Sequence, residues 1–326
     1  MIVAVIAAFS LAAIGTWLMI RLAPALGLVD KPNARSSHSQ PTPRGGGLAI
    51  VVALTASGLM TAQADAALCL PLLAALPIAA IGLLDDRFGL SALLRLAVQL
   101  LVAFGCVTAM GGTMIGLPEI LVAAVAIAWA SNLFNFMDGI DGIAGMEAMF
   151  ISVVAGWFIW PHDPRFATAL WVVAASSAGF VLWNWSPARI FMGDVGSAYL
   201  GFVLAAIAYL AILNGLIALP VWIMLWALFI ADTAVTLIRR LLRGERWWSA
   251  HRSHAYQHLS ARVGSHARVT LIYAAMNVAI ILPGARYALV HPEMEWRLCA
   301  VLMAIVLALV YFLGAGKPAS GSHSNP

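Results

Sequence analysis

Asp85 and Asp86 stand side by side at the end of an apolar run. Adjacent carboxylates repel unless a cation or a shared proton sits between them, a device that tunes a general base or holds a divalent metal. In "NLFNFMDGIDGIAG" (132–145), Asn132, Asn135 and Asp138 recur every third residue and so share one side of a helix. Asp141 adds another acceptor, and Gly139, Gly142 and Gly145 permit close backbone approach. Asp194, in "FMGDVGS", would make a Mg2+ site with an oxygen from 132–145, because Mg2+ commonly bridges one or two carboxylates to substrate phosphates. The same aspartate is also placed to cap the following helix. Phe191 offers a ring face to a base, or an anchor at the membrane interface. Arg44 with Gly45, Gly46 and Gly47 gives a cationic, backbone-rich turn suited to a phosphate. His251, His254 and His258 follow at spacings of three and four, hence on one helical face, among Arg243, Arg246, Arg252 and Arg262. That array suits a diphosphate, or a basic helix lying on anionic lipid with Trp247 and Trp248 at headgroup level. Asp232, inside an apolar run, is expected to pair with Arg239 or to face the site.

The elements that position these groups are membrane helices. The chain has 326 residues, 63% hydrophobic and 10% charged, with a mean hydropathy of +0.93. Apolar runs of about 20 residues recur throughout, which makes the bilayer the solvent and the fold an all-α polytopic membrane protein of about eleven transmembrane helices. The expected spans lie near 2–22, 46–63, 67–84, 93–110, 118–136, 146–160, 166–184, 196–213, 216–238, 268–288 and 296–314, with 146–160 the weakest. They form one catalytic domain over 1–315, followed by a small, polar, disordered tail at 316–326. With the loop after the first span inside, all of the 18 Lys and Arg residues except Arg165, Arg286 and Arg297 fall on cytoplasmic segments. Every polar cluster then lies on that face, so the active site is expected to face the cytoplasm. The net charge of +4 is dispersed over several loops, which fits an anionic leaflet and excludes nucleic acid as a partner. Cys69, Cys106 and Cys299 show no metal-ligand spacing and read as inert. Oxygen ligands for a metal, cations for a diphosphate and a site at the lipid boundary together fit phosphoryl transfer between a soluble nucleotide and a lipid phosphate.

Taken in order, "PTPRGGG", "LLDDRFGLS", "NLFNFMDGIDGIAG", "FMGDVGS" and "HRSHAYQHL" resemble the polyprenyl-phosphate N-acetylhexosamine-1-phosphate transferase superfamily. Its members include the phospho-MurNAc-pentapeptide translocases, and the chain looks closest to the O-antigen-initiating branch. The resemblance runs from about residue 30 to about residue 275. It implies that undecaprenyl phosphate attacks the β-phosphate of a UDP-N-acetylamino sugar in a bacterial inner membrane, giving undecaprenyl-diphosphate-sugar and UMP with Mg2+ or Mn2+ as cofactor. Asp85 and Asp86 match the family's catalytic pair, one of which is proposed to deprotonate the lipid phosphate. Asn135 and Asp194 match metal-holding positions, Asp138 and Asp141 match the nucleotide-sugar pocket, Phe191 matches a uracil-stacking ring, and His254 matches the first histidine of the cytoplasmic motif. Arg44, Asn132, Arg252 and His258 complete the expected substrate-binding set.

Two positions depart from the pattern. Gly89 stands where the translocases carry a lysine, which passes phosphate binding elsewhere, to Arg87 or Arg95. Tyr256 and Gln257 stand where other branches carry histidines. Single displacement with an aspartate base and double displacement through an aspartyl-phosphate use the same residues, and either member of the pair is a candidate base. Two rival readings are weaker. A CDP-alcohol phosphotransferase would need an Ala-Arg pair soon after "DG" and further aspartates downstream. A transporter built on Asp232 would place polar groups near mid-bilayer on several helices.

Overall fold

The computed structural model describes residues 1–30, 32, 40–61, 65–111, 116–245 and 251–318. Trp247, Trp248 and Arg246, most of the first polar loop, and the tail beyond residue 318 lie outside the described residues. The fold is all-α apart from one two-residue ribbon. Helices α1 (Ile2–Leu22), α2 (Gly47–Thr61), α3 (Ala66–Ala74), α4 (Leu76–Phe88), α5 (Ala92–Gly111), α6 (Leu117–Met137), α7 (Ile143–Ile159), α8 (Pro164–Asn184) and α9 (Asp194–Leu213) belong to one compact unit. The ribbon pairs β1 (Val29–Asp30) with β2 (Thr42–Pro43) in antiparallel register. A second compact unit holds α10 (Leu219–Leu225), α11 (Ala227–Leu242), α12 (Ala255–Val263), α13 (His266–Met276), α14 (Leu282–Val290) and α15 (Glu295–Leu313).

Among the described residues, 8 helical segments are long and apolar enough to cross a membrane, or 9 if the bent pair α10–α11 counts as one span. Both of the remaining expected spans are helical but short: α2 has 15 residues and α7 has 17. The expected 46–63 run took in Gly46, which belongs to the turn before α2, whereas the expected 146–160 run starts inside α7, whose first residue is Ile143. The expected 216–238 span breaks at Trp226 with a bend of 76°. In α13 the regular ladder gives way to a π-turn over Asn277–Ile281 just before Pro283, which lacks the N–H needed to continue it.

Helix α9 is the centre of the first unit: 83% of its membrane-length window is buried, and it packs against α2, α4 and α6. Where helices approach this closely in a bilayer, small residues must line the contact. A Cβ on Gly47 would run into Gly196 Cα, and one on Gly82 would come within 2.6 Å of the Asp194 carbonyl oxygen. The outward faces of α5 and α6 expose Leu93, Leu101, Val122 and Val125, as expected where lipid rather than water is the solvent. The start of α9 is thus fixed against the start of α2 and the last turns of α4.

Candidate active site

The start of α9 gathers five charged side chains of the first unit, Arg44, Asp85, Asp86, Arg95 and Asp194. Gly193 adopts φ 76°, a conformation that favours glycine, and a Cβ there would collide with the Asp86 carboxylate. That turn aims the first N–H groups of α9 at Asp86. Oδ1 accepts from Asp194 N–H at 2.9 Å and Oδ2 accepts from Val195 N–H at 3.1 Å. Asp86, with no exposed side-chain surface, therefore caps α9 from α4 and also pairs with Arg44 Nε at 2.8 Å. Arg44 spans to Asp194 through its second nitrogen at 2.7 Å. Arg95, in the first turn of α5, donates to Asp85 at 2.6 Å and to Asp194. Asp85 also accepts from Leu90 N–H at 2.6 Å. Three carboxylates and two guanidiniums thus form one network with one uncompensated negative charge.

The network changes several expectations. Arg44 and the glycine turn do not present a phosphate cradle here. The Gly46 and Gly47 N–H groups donate to the Phe191 and Met192 carbonyls, both at 2.9 Å, and the Phe191 N–H donates to the Pro43 carbonyl at 2.8 Å. This stitching fixes the two turns to each other and sends the Arg44 side chain into the carboxylates. Burial opposes the charge on Arg44, but Asp86, Asp194, Asp30 and Asp85 outweigh it and raise its pKa. Of the two candidates for the place of the missing lysine, Arg95 reaches the carboxylates, while Arg87 lies over the Phe88 ring. Gly89, at φ 67°, ends α4 instead.

The three-residue repeat is only partly one helical face, because α6 stops at Met137 and Asp138 is its C-terminal cap. Asn135 donates to Ser197 Oγ at 3.2 Å, in the turn that begins with Asp194. Asn132 is tied to Gln99 at 2.6 Å, one turn beyond Arg95 on α5. Burial, with the charges of Asp194, Asp86 and Asp141 acting against that of Arg44, pushes the half-buried Asp138 carboxyl well above the usual carboxylate range. Asp141 is buried and accepts from Ala188 N–H at 3.1 Å. Phe191 is half-buried. Sequence reading missed Asn184, at the end of α8. Its amide accepts from Gly142 N–H at 2.9 Å and donates to the Ile190 carbonyl at 2.8 Å, joining the Asp138–Gly142 loop to the Phe191 turn.

In the second unit, His251, His254 and His258 do not share a helical face, because α12 starts only at Ala255. His254 is buried and pairs through Nδ1 with Asp232 at 3.2 Å. Asp232 neither pairs with Arg239 nor lies open: it is fully buried and also accepts from Ala255 N–H, Tyr256 N–H and the Tyr273 hydroxyl. Arg239 lies over the Tyr311 ring and donates to the Ala315 carbonyl at 2.6 Å. Gln257 accepts from His254 N–H at 3.2 Å, and His258 Nε2 meets the Lys317 carbonyl at 3.1 Å. Arg252 is half-buried on the loop before α12.

The family described as glycosyl transferase family 4 matches residues 68–213, which contain Asp85, Asp86, Arg95, Asn135 and Asp194. A probable undecaprenyl-phosphate N-acetylglucosaminyl 1-phosphate transferase of Bacillus subtilis is 31% identical over 77% of this chain and 75% of its own length. The chain belongs to the polyprenyl-phosphate N-acetylhexosamine-1-phosphate transferases. A decaprenyl-phosphate N-acetylglucosaminephosphotransferase of Mycolicibacterium smegmatis is 31% identical, covering 92% of this chain and 85% of that protein. The undecaprenyl-phosphate alpha-N-acetylglucosaminyl 1-phosphate transferase of Escherichia coli K12 is 29% identical over 90% and 84%. This member of the family is a multi-pass membrane protein and a phosphotransferase.

Proposed function

We propose that the protein transfers N-acetylglucosamine-1-phosphate, or a closely related amino-sugar phosphate, from its UDP donor to undecaprenyl phosphate at the cytoplasmic face of a bacterial inner membrane. An oxygen of the lipid phosphate bonds to the donor's β-phosphorus, the bond from that phosphorus to the bridging oxygen breaks, and UMP leaves. The product is an undecaprenyl-diphosphate-sugar, a starting unit for a cell-envelope polysaccharide such as O-antigen. The observation that carries this reading is the convergence of Asp85, Asp86, Asp194, Arg44 and Arg95 at helix ends in the first unit. Relatives whose names specify this transfer support the substrates.

The two aspartates divide the work. Asp86 is wholly buried and committed to two backbone N–H groups and Arg44, so it organises the site. Asp85 keeps 13% of its side chain exposed and lies beside Arg95, which favours it as the group that takes a proton from the lipid phosphate. Arg95 is then placed to hold the deprotonated phosphate. The donor set fits Mg2+: its oxygens are hard ligands, and the two guanidiniums leave negative charge uncompensated. Among the described residues no three acidic, His or Cys side chains already surround a common point. Asp194 and Asn135 would hold the metal, in competition with Arg95. When bound, Mg2+ would neutralise charge building on the transferred phosphoryl group.

The test is UMP release by purified protein with undecaprenyl phosphate, Mg2+ and a panel of UDP-N-acetylamino sugars, with EDTA as control. Release should need lipid and metal together. Folded protein that releases no UMP with any of the donors contradicts the assignment.

A further inference from the structure

Gln99 lies within the apolar helix α5, is 4% exposed, and uses only half of its amide. Asn132 Nδ2 donates to Gln99 Oε1 at 2.6 Å and to the Ala128 carbonyl at 2.8 Å. A backbone carbonyl can only accept, so the Asn132 atom bonded to it is the nitrogen. The Gln99 atom facing that nitrogen is then the oxygen, and the other end of the Gln99 amide is an N–H donor. This Nε2 group has no hydrogen-bond partner among the described residues. It is not one of the sealed-off side-chain atoms that lack a partner, so it keeps some accessible surface. A nearly buried donor left open costs free energy unless a ligand or water completes it.

The depth of Gln99 in the helix pair selects the ligand. Arg95 is in the first turn of α5, and Gln99 follows four residues later, on the same face and about 6 Å further along the helix. On α6, which ends at Met137, Asn132 precedes Asn135 by one turn. Arg95 reaches Asp194 and Asn135 reaches Ser197, so both of these residues meet the start of α9. The Gln99–Asn132 pair is therefore one turn deeper in the membrane helices than the charged network. Near that depth the outward surface is apolar, with Leu101 on α5 and Trp129 on α6 exposed. A nucleotide approaches the network from the aqueous side, whereas a phosphate carried on a prenyl chain approaches from the hydrocarbon side. Arg95 makes both of its carboxylate contacts through Nη1, which leaves Nε and Nη2 without partners among the described residues. Arg95 and Gln99 thus present open N–H donors from one face of α5, close enough to share a single phosphate.

We propose that Gln99 is a binding residue for the lipid acceptor, its Nε2–H donating to an oxygen of the prenyl phosphate held by Arg95. Asn132 is the positioning residue that sets the orientation of the amide. The identity of that phosphate rests on the function proposed above; the open donor does not.

The experiment compares the full-length protein with Gln99→Met and Gln99→Glu. Met is of similar size and has no N–H, so it removes both halves of the amide. Glu, once ionised, keeps an acceptor for Asn132 and removes only the donor. Each is read by thermal melting, by separate KM values for undecaprenyl phosphate and the UDP-sugar in UMP release, and by binding of farnesyl phosphate with farnesol as control. Loss of one hydrogen bond to a charged group should raise the KM for undecaprenyl phosphate by about tenfold to a hundredfold in both variants, with the KM for the UDP-sugar little changed. Gln99→Glu should be at least as impaired as Gln99→Met, because its carboxylate repels the phosphate. A Gln99 that served only to hold Asn132 would give the reverse order, since Glu still accepts from Asn132. That reverse order, an unchanged KM for undecaprenyl phosphate in either folded variant, or a rise shared equally by both substrates overturns the proposal. If the parent protein releases no UMP, the reaction reading fails and farnesyl phosphate decides this one. Weaker binding by Gln99→Met with farnesol binding unchanged supports it, and equal binding, or none by the parent, overturns it.

Discussion

Arg95→Gln should make the protein bind a divalent metal more tightly while making it a worse enzyme. In the network described above, one Arg95 nitrogen serves both Asp85 and Asp194. A metal that takes Asp194 as a ligand must displace that contact. A hydrogen bond between charged groups contributes about 1.5–3 kcal/mol, and Arg95 is 27% exposed, so water screens part of it. The lower end of the range applies, which corresponds to roughly tenfold tighter metal binding when the competitor is removed. Without metal the same substitution leaves two uncompensated negative charges and should lower the melting temperature. The two effects have opposite sign, and a general disruption of the fold would not produce both. The assay is Mn2+ titration of metal-stripped protein followed by electron paramagnetic resonance, with Mg2+ as competitor and melting curves in parallel. Mn2+ affinity that is unchanged or weaker in a folded variant refutes the idea that Arg95 and the metal share a carboxylate.

Asn184→Ala leaves the Gly142 N–H and the Ile190 carbonyl buried without their partner and should cost about 2–4 kcal/mol, seen as a lower melting temperature together with a fall in kcat/KM; an unchanged melt contradicts the role given to Asn184. Asp138 binds its proton more tightly folded than unfolded, so its contribution favours the fold at low pH and is lost as pH rises from the ordinary carboxylate value, about 4, to the raised one. The stability of Asp138→Asn relative to the metal-free parent should therefore increase with pH across that window, and a pH-independent difference between the two melting curves contradicts the shift. Gly47→Ala drives a methyl group into Gly196 and should destabilise by about 1–3 kcal/mol or more, whereas Gly89→Ala, with open space around it, should cost only the strain of a positive φ, about 1 kcal/mol. Equal melting temperatures for these two variants would show that the α2–α9 contact is looser than described.

The sequence made some of these features visible because polar groups are conspicuous in an apolar chain. Asp85, Asp86, Asn135 and Asp194 stand out for that reason. The long helices were visible in run length and hydropathy, which depend on little beyond local composition. The start of α2 was not, because the glycine-rich turn before it is nearly as apolar as the helix itself. Partners were harder still. Arg44 reads as a phosphate ligand until its distant neighbours are known, and the 42 residues separating Asn184 from Gly142 hide the bond between them. His254 looks like a surface ligand by spacing, yet Asp232, 22 positions earlier, draws it into the core. Burial of a titratable side chain depends on such long-range pairing, which periodicity does not encode.

The most direct test of the central claim follows the phosphorus atoms. The purified protein would be given undecaprenyl phosphate, Mg2+ and UDP-N-acetylglucosamine labelled with 32P at either the α or the β position, and the products would be separated into lipid and aqueous phases. The account predicts β label in the lipid phase and α label in UMP. The α label entering the lipid, or neither label leaving the nucleotide sugar in the presence of folded protein, would contradict it.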